Sequence, residues 1–264
     1  MIIFPHSRGL LYKSTSGAFS PSSLSPHLWF NADDSSTVFD ASTGGTIPDN
    51  AEGVGRWVDK SSNGYSYIQA TTANRPAYQS GSGPNSRSFV KFSSASHTLA
   101  RSGDSGIFKN CTGGTVIASV RFESSPTGGV STIFSATTGG GLTRVNFSGG
   151  RTSGKFDIGG RRLDTDGFVS LSSTVDVGTS WCVICGVFDF SSSTNSIRLY
   201  KNSTTVERQS NAFTAGTSDS NGNTTSGFGG AANTYGIGEM VVLNRVLSSA
   251  ELSDIFSYMT SRWT

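Results

Sequence analysis

Two acidic pairs are the first places in this chain where chemistry could occur. "NADDSS" sets Asp33 beside Asp34, and "LDTDGF" places Asp164 two residues before Asp166. Carboxylates in such loops can hold calcium. A pair set about 5–5.5 Å apart can instead cleave a glycosidic bond, one as nucleophile and one as acid/base. Neither pattern is complete. The single D-x-D-G lacks the downstream acid of a calcium loop, and Gly167 points to a turn rather than a strand. The five glutamates, Glu52, Glu123, Glu207, Glu239 and Glu251, each stand alone. Solvated turn carboxylates are the plainer reading, so no metal ligand and no catalytic residue is assigned.

Cys182 and Cys185 form C-x-x-C within "WCVICGVFDF". An offset of three along a strand sends the two thiols to opposite faces, and no second C-x-x-C or paired His completes a zinc site. Both read as small buried strand residues, while Cys111 is uninformative. His97 and the boundary residue His27 offer little for a triad, and there is no G-x-S-x-G elbow. "TTGGGLT" and "GFGG" are Gly-rich but lack the Lys and the strand–loop–helix setting of a phosphate loop, so both read as turns. The chain is therefore expected to be no enzyme and to need no cofactor.

Glycan binding wants an aromatic platform on an exposed loop, with planar hydrogen-bonding partners beside it. Trp29, Trp57, Trp181 and Trp263 fall in strand-like or helical patterns and read as core. Tyr65, Tyr67 and Tyr235 lie nearer turns and are the candidate platforms, with none singled out as ligand-binding.

The elements that would position these residues are mostly strands. Charged residues make up 14% of the 264, Gly numbers 33 and Phe 17. Such a chain suits a sandwich with aromatic buried faces and hydroxyl-rich exposed ones. A net charge of +2 gives no electrostatic case for nucleic acid or an anionic membrane. No apolar run approaches the roughly 20 residues that span a bilayer, and "MIIFPHSRGLLYKSTSG" lacks the plan of a secretory signal. Residues 1–26 contain no acidic residue and end in "SPSSLSP", which reads as an extended docking arm. From His27 onward short β-like runs alternate with turn clusters. "GRWVDKSSNGYSYIQA" joins two strands through a turn that uses Asp59 and Asn63-Gly64, and "SWCVICGVFDF" pairs with "SIRLYK" across "SSSTN".

The end of the chain reads as a helix. Ser248 is an N-cap, Glu251 completes a capping box, and Leu247 can staple against Leu252. Leu252, Ile255, Phe256, Met259 and Trp263 then share one face. That stripe is expected to close the sandwich against the sheet near Met240–Leu243.

The run from Gly238 to Leu252, G-E-[apolar]₄-x-R-x-L-S-x-x-E-L, resembles the end of concanavalin A-like lectin/glucanase domains of the laminin-G type. "LWFNADDSSTV", "GRWVDKSSNGYSYIQATTANRPAY", "SFVKFSS" and "SIRLYKNSTTV" resemble further segments of that family in the same order. Ser62, Ser203 and Ser93 depart from it, the first two in turns and the third where a loop carboxylate is usual. The resemblance covers residues 27–264 and implies an all-β, concanavalin A-like jelly-roll sandwich. The related glucanases use E-x-D-x-x-E, which this chain lacks. Domains of this appearance also resemble structural and adhesion proteins of tailed-bacteriophage virions. That likeness implies a lectin-like module made in the host cytoplasm and carried in many copies on a particle. Residues 1–26 would dock on capsid, collar or tail proteins, and a host-surface glycan would be the outward ligand. A free-standing carbohydrate-binding lectin is the alternative, ahead of a glycoside hydrolase.

Overall fold

The structure, a computed structural model, describes residues 18–264. The first strands are β1 (Leu28–Asn31), β2 (Val38–Phe39), β3 (Arg56–Val58), β4 (Ser66–Ile68), β5 (Ala77–Gln79) and β6 (Phe89–Phe92). Then come β7 (Thr98–Ser102), β8 (Gly113–Phe122), β9 (Ser131–Thr138), β10 (Thr143–Gly149), β11 (Phe156–Gly160) and β12 (Val169–Ser172). The last are β13 (Cys182–Asp189), β14 (Ile197–Lys201), β15 (Val206–Ser210), β16 (Asn223–Gly229) and β17 (Tyr235–Leu243), followed by α1 (Ser249–Trp263). They form two antiparallel sheets packed as a sandwich, the all-β architecture expected from the sequence. The first sheet runs β15-β14-β13-β8-β17-β6-β5, with β1 also on β17, and the second runs β12-β11-β10-β9-β16-β7-β4-β3-β2.

Aromatic side chains fill the space between the sheets. Phe228 sits at the centre, its ring 5.0 Å from Phe30, 5.2 Å from Trp57 and 5.4 Å from Phe134. Alternation along each strand sends the intervening residues outward. Cys182 accordingly joins the inner core and Cys185 the outer cluster, both buried. The "SSSTN" segment does join β13 to its antiparallel neighbour β14. Asp59 accepts from Ser61 N at 2.8 Å, and Gly64 takes φ +58°, so the β3–β4 turn is built as its residues dictate. In the β14–β15 hairpin, where Ser203 replaces a glycine, Asn202 supplies the positive φ of 54°.

Of "GFGG", expected as a turn, residues 227–229 instead end β16, and Gly230 follows with φ +75°. The strand's glycines serve close packing: an added Cβ would lie 2.6 Å from Leu99 O at Gly227 and 2.2 Å from His97 O at Gly229. The partner strand β7 likewise carries no apolar alternation strong enough to announce it.

Of the expected arm, residues 1–17 lie outside the described residues. Residues 18–26 do not hang free. Pro21–Leu24 form a 3-10 turn, Leu24 is buried, and Phe19 packs on Tyr258 of α1 with ring centres 5.8 Å apart. Residue 26 is thus no border between a loose arm and the body, because Leu24 and Phe19 belong to the outer apolar cluster.

Candidate functional site

The outer face of the first sheet is apolar and covered. Ile117, Val183, Cys185, Val241 and Leu243 meet Leu252, Ile255, Phe256 and Met259 of α1. Ser248 caps the helix and Glu251 returns the capping box, as read from the sequence. Beneath its last turn lies Glu239, fully buried. A bulge puts it there: Ile237 pairs with Val120 and Glu239 with Ser119, so Gly238 is the extra residue. Gly238 and Glu239 both face the helix. An added Cβ at Gly238 would lie 2.3 Å from the Trp263 ring. Glu239 accepts from Trp29 Nε1 at 2.8 Å, Tyr258 Oη at 3.1 Å and Trp263 Nε1 at 3.2 Å. Arg262 Nε lies 3.3 Å away as an ion-pair partner. With every near donor supplied by the chain itself, this carboxylate holds the helix down and offers a ligand nothing.

The acidic pairs are likewise occupied. Asp33 pairs with Arg87 and Arg262, and Asp34 with Lys60. Asp164 accepts from Thr138 Oγ1 at 3.0 Å, Arg144 Nη2 at 3.1 Å and Asn221 Nδ2 at 3.1 Å. Burial pushes the Asp164 carboxyl up, but the bonds from Asn221, Thr138 and Arg144 outweigh it and hold the group below its ordinary value. A proton-donating acid needs the opposite shift. Among the described residues, no three metal-ligating side chains converge.

Two of the three tyrosine platforms are corrected. Tyr67 and Tyr235 are fully buried. The Tyr67 hydroxyl meets Ser226 Oγ at 2.7 Å, and Tyr235 Oη donates to Thr132 O at 2.6 Å. Proximity to a turn did not expose them, because their strands present those positions to the core. Tyr65 is half-buried under the Arg101 guanidinium, 4.1 Å from its ring centre. Trp57 and Trp263 are fully buried and Trp29 nearly so, while Trp181 is partly buried against Trp263 and Phe89.

The outer face of the second sheet has a different character. The inward places of β10, β11 and β12 go to Val145, Phe147, Phe156, Ile158 and Leu171. Asn146, Ser148, Asp157, Gly159, Ser170 and Ser172 are left on the side away from the core, where Asn146, Ser148, Asp157 and Gly159 are nonetheless buried and Ser170 is exposed. Register aligns Ser135, Asn146, Gly159 and Ser170 in one row across β9–β12. Thr132, Ser148, Asp157 and Ser172 form the next. Phe168, from the loop before β12, lies over the first row. An added Cβ at Gly159 would sit 2.6 Å from the tip of its ring. The phenyl is only half-buried. Beside it the Asn146 side chain, 8% exposed, has no hydrogen-bond partner among the described residues. Asp157 accepts from Ser172 Oγ at 2.5 Å and Thr152 N at 3.3 Å. Beyond Ser135 the face continues as a shallow groove of about 290 Å³, lined by Thr98, Ala100, Thr132, Thr225, Gly227 and Gly229.

This surface therefore joins an aromatic platform to a planar amide and a row of hydroxyls, the composition that packs against a pyranose ring. The sequence reading missed Phe168. Its signal was the Asp-Gly-Phe sequence, which leaves a large apolar side chain next to a turn.

No family profile matches the chain, and no curated protein does so in sequence. Solved structures do match. The binding domain of botulinum neurotoxin serotype G superposes with a TM-score of 0.57 at 11% identity, over 89% of this chain and 51% of that one. The chain shares its fold. The serotype D ligand-binding domain, solved in complex with N-acetylneuraminic acid, gives 0.54 at 11% identity, over 90% and 53%. The binding domain of Paraclostridial Mosquitocidal Protein 1 gives 0.51 at 11% identity, over 72% and 49%. The chain spans about half the length of these neighbours, and identity this low speaks for architecture alone.

Proposed function

We propose that this chain is a non-enzymatic carbohydrate-binding module and that it binds through the outer face of its second sheet. The observation that carries the reading is the half-buried Phe168 ring, its tip against Gly159, whose cross-strand neighbour is the unpartnered amide of Asn146. A sugar ring stacks its C–H face on such a phenyl while its hydroxyls bond to Asn146, Ser135 and Ser170. The structural neighbours are named as binding domains, one of them holding a sugar acid, which supports a binding role over a catalytic one. The Asp164 carboxylate, held ionised by its donors, also argues against hydrolysis.

Display on a phage particle is the finer part of the proposal. It rests on the sequence resemblance and gains nothing from the neighbours. Because Phe19–Pro26 pack on the body, docking to capsid, collar or tail proteins falls to the residues ahead of Phe19. Many displayed copies would raise weak single-site binding through avidity.

A glycan array followed by NMR titration of Phe168→Ala tests the binding face. Loss of binding with an unchanged fold is the expected result, and unaltered binding removes this face from consideration. Mass spectrometry of purified particles, with and without residues 1–18, tests display.

A further inference from the structure

The loop that joins β10 to β11 brings a cation to this face. Thr152 N bonds to Asp157, which folds residues 150–155 back over the outer row. Arg151 follows, exposed, with its guanidinium carbon 5.7 Å from the Phe168 ring centre. Arg161 approaches the same ring at 6.0 Å. The two differ in what they already hold. Arg161 donates from Nε to Thr143 O at 3.0 Å and from Nη1 to Asp166 O at 3.2 Å. Among the described residues Arg151 has neither a hydrogen bond nor an ion pair. Arg151 thus brings a planar fork of donors over the Phe168 ring without spending them on the chain.

Resting on the reading above, we propose that the face selects glycans bearing a carboxylate, with Arg151 as the anchor for that group. Stacking on Phe168 positions the pyranose, and the Arg151 fork takes the two carboxylate oxygens in parallel N–H···O bonds. Charge balance agrees. Arg151 and Arg161 contribute two positive charges around the ring, and Asp157 contributes one negative charge that Ser172 and Thr152 already solvate. Asp166 lies close to Arg162, its carboxylate 3.8 Å from Nη2. An uronic acid and a nonulosonic acid both present the required group.

The test titrates the full chain, by NMR, with 3′-sialyllactose and lactose, and with trigalacturonate and galactotriose. The acid of at least one pair should bind roughly ten-fold tighter than its neutral partner, as expected for a charge-assisted bond. Which pair shows the gap names the source of the carboxylate. Arg151→Gln should erase that preference, bringing the acid-to-neutral affinity ratio to about one, since it removes the charge-assisted bond. Arg151→Lys, which keeps the charge but loses the fork, should restore part of it. Equal binding of acid and neutral sugars, or an acid preference that survives Arg151→Gln, overturns the anchor while leaving the glycan-binding face intact. A sulfated lactose bound as tightly as the carboxylates overturns the selection for a carboxylate. Binding of acid and neutral probes that survives Phe168→Ala overturns the face itself, and the anchor with it.

Discussion

The two outer faces of this sandwich were treated in opposite ways. On the first sheet the outward residues are chiefly Ile, Val, Leu and Cys, with the Glu239 carboxylate among them, and a helix covers them. On the second they are Asn, Asp, Ser, Thr and Gly, with the tip of one phenyl against Gly159. An apolar face has to be buried, so α1 is a structural consequence of β8, β13 and β17. A hydroxyl face can remain in water at little cost, and it keeps bonding capacity for a ligand. Where the chain has satisfied its polar groups internally, as around Glu239, there is architecture. The unpartnered side chains Asn146 and Arg151 on the second face mark the candidate site.

The contrast can be broken most forcefully at Glu239. Glu239→Ala leaves two indole N–H groups and a tyrosyl hydroxyl without their acceptor and takes one of two carboxylates from Arg262, which keeps Asp33, and should cost about 3–5 kcal/mol in urea unfolding. A loss below about 1 kcal/mol would mean that the helix is not held through this carboxylate. Gly238→Ala pushes a methyl into the Trp263 ring and should cost about 1–3 kcal/mol by the same measurement, as overpacking does. Ser248→Ala removes the helix cap and should cost about 1 kcal/mol, read as a lower thermal midpoint.

Acid sharpens the picture at the same helix end. The Arg245 guanidinium, then Ser248 N–H, hold the Glu251 carboxyl down to about 2 from an ordinary 4.5. A lowered folded-state value contributes stability that is complete above about 4.5 and is lost as pH falls through about 2. Glu251→Gln should flatten that part of the stability–pH profile, and an unchanged slope between pH 5 and pH 2 would count against the cap (roughly the carboxylate window). The smallest effect is expected on the open face. Phe168→Ala should change stability by less than about 1 kcal/mol, because its half-buried ring leaves no deep cavity. It should nonetheless abolish glycan binding. A large stability loss there would make Phe168 a core residue and erase the difference between the faces.

Much of the architecture was legible in local residues. The Ser248–Glu251 box, the stripe from Leu252 to Trp263 and the turns at Asn63-Gly64 and Asn195 are short-range patterns, fixed by spacing and by φ preference. β16 was not legible, because its glycines answer to the backbone of β7, which is distant in sequence. Tyr67 and Tyr235 looked like platforms for the same reason: burial is a property of the partner sheet.

What the sequence determined by itself was an all-β body closed by a capped amphipathic helix, since those signals act over a few residues. Which Glu is buried, which aromatic rings are left half-exposed and which arginines go unpaired were decided only by tertiary structure. A bulge at Gly238 turned Glu239 under the helix, and strand register set Gly159 beside Asn146. Those placements depend on contacts between residues far apart in the chain, and no local window of sequence contains both partners.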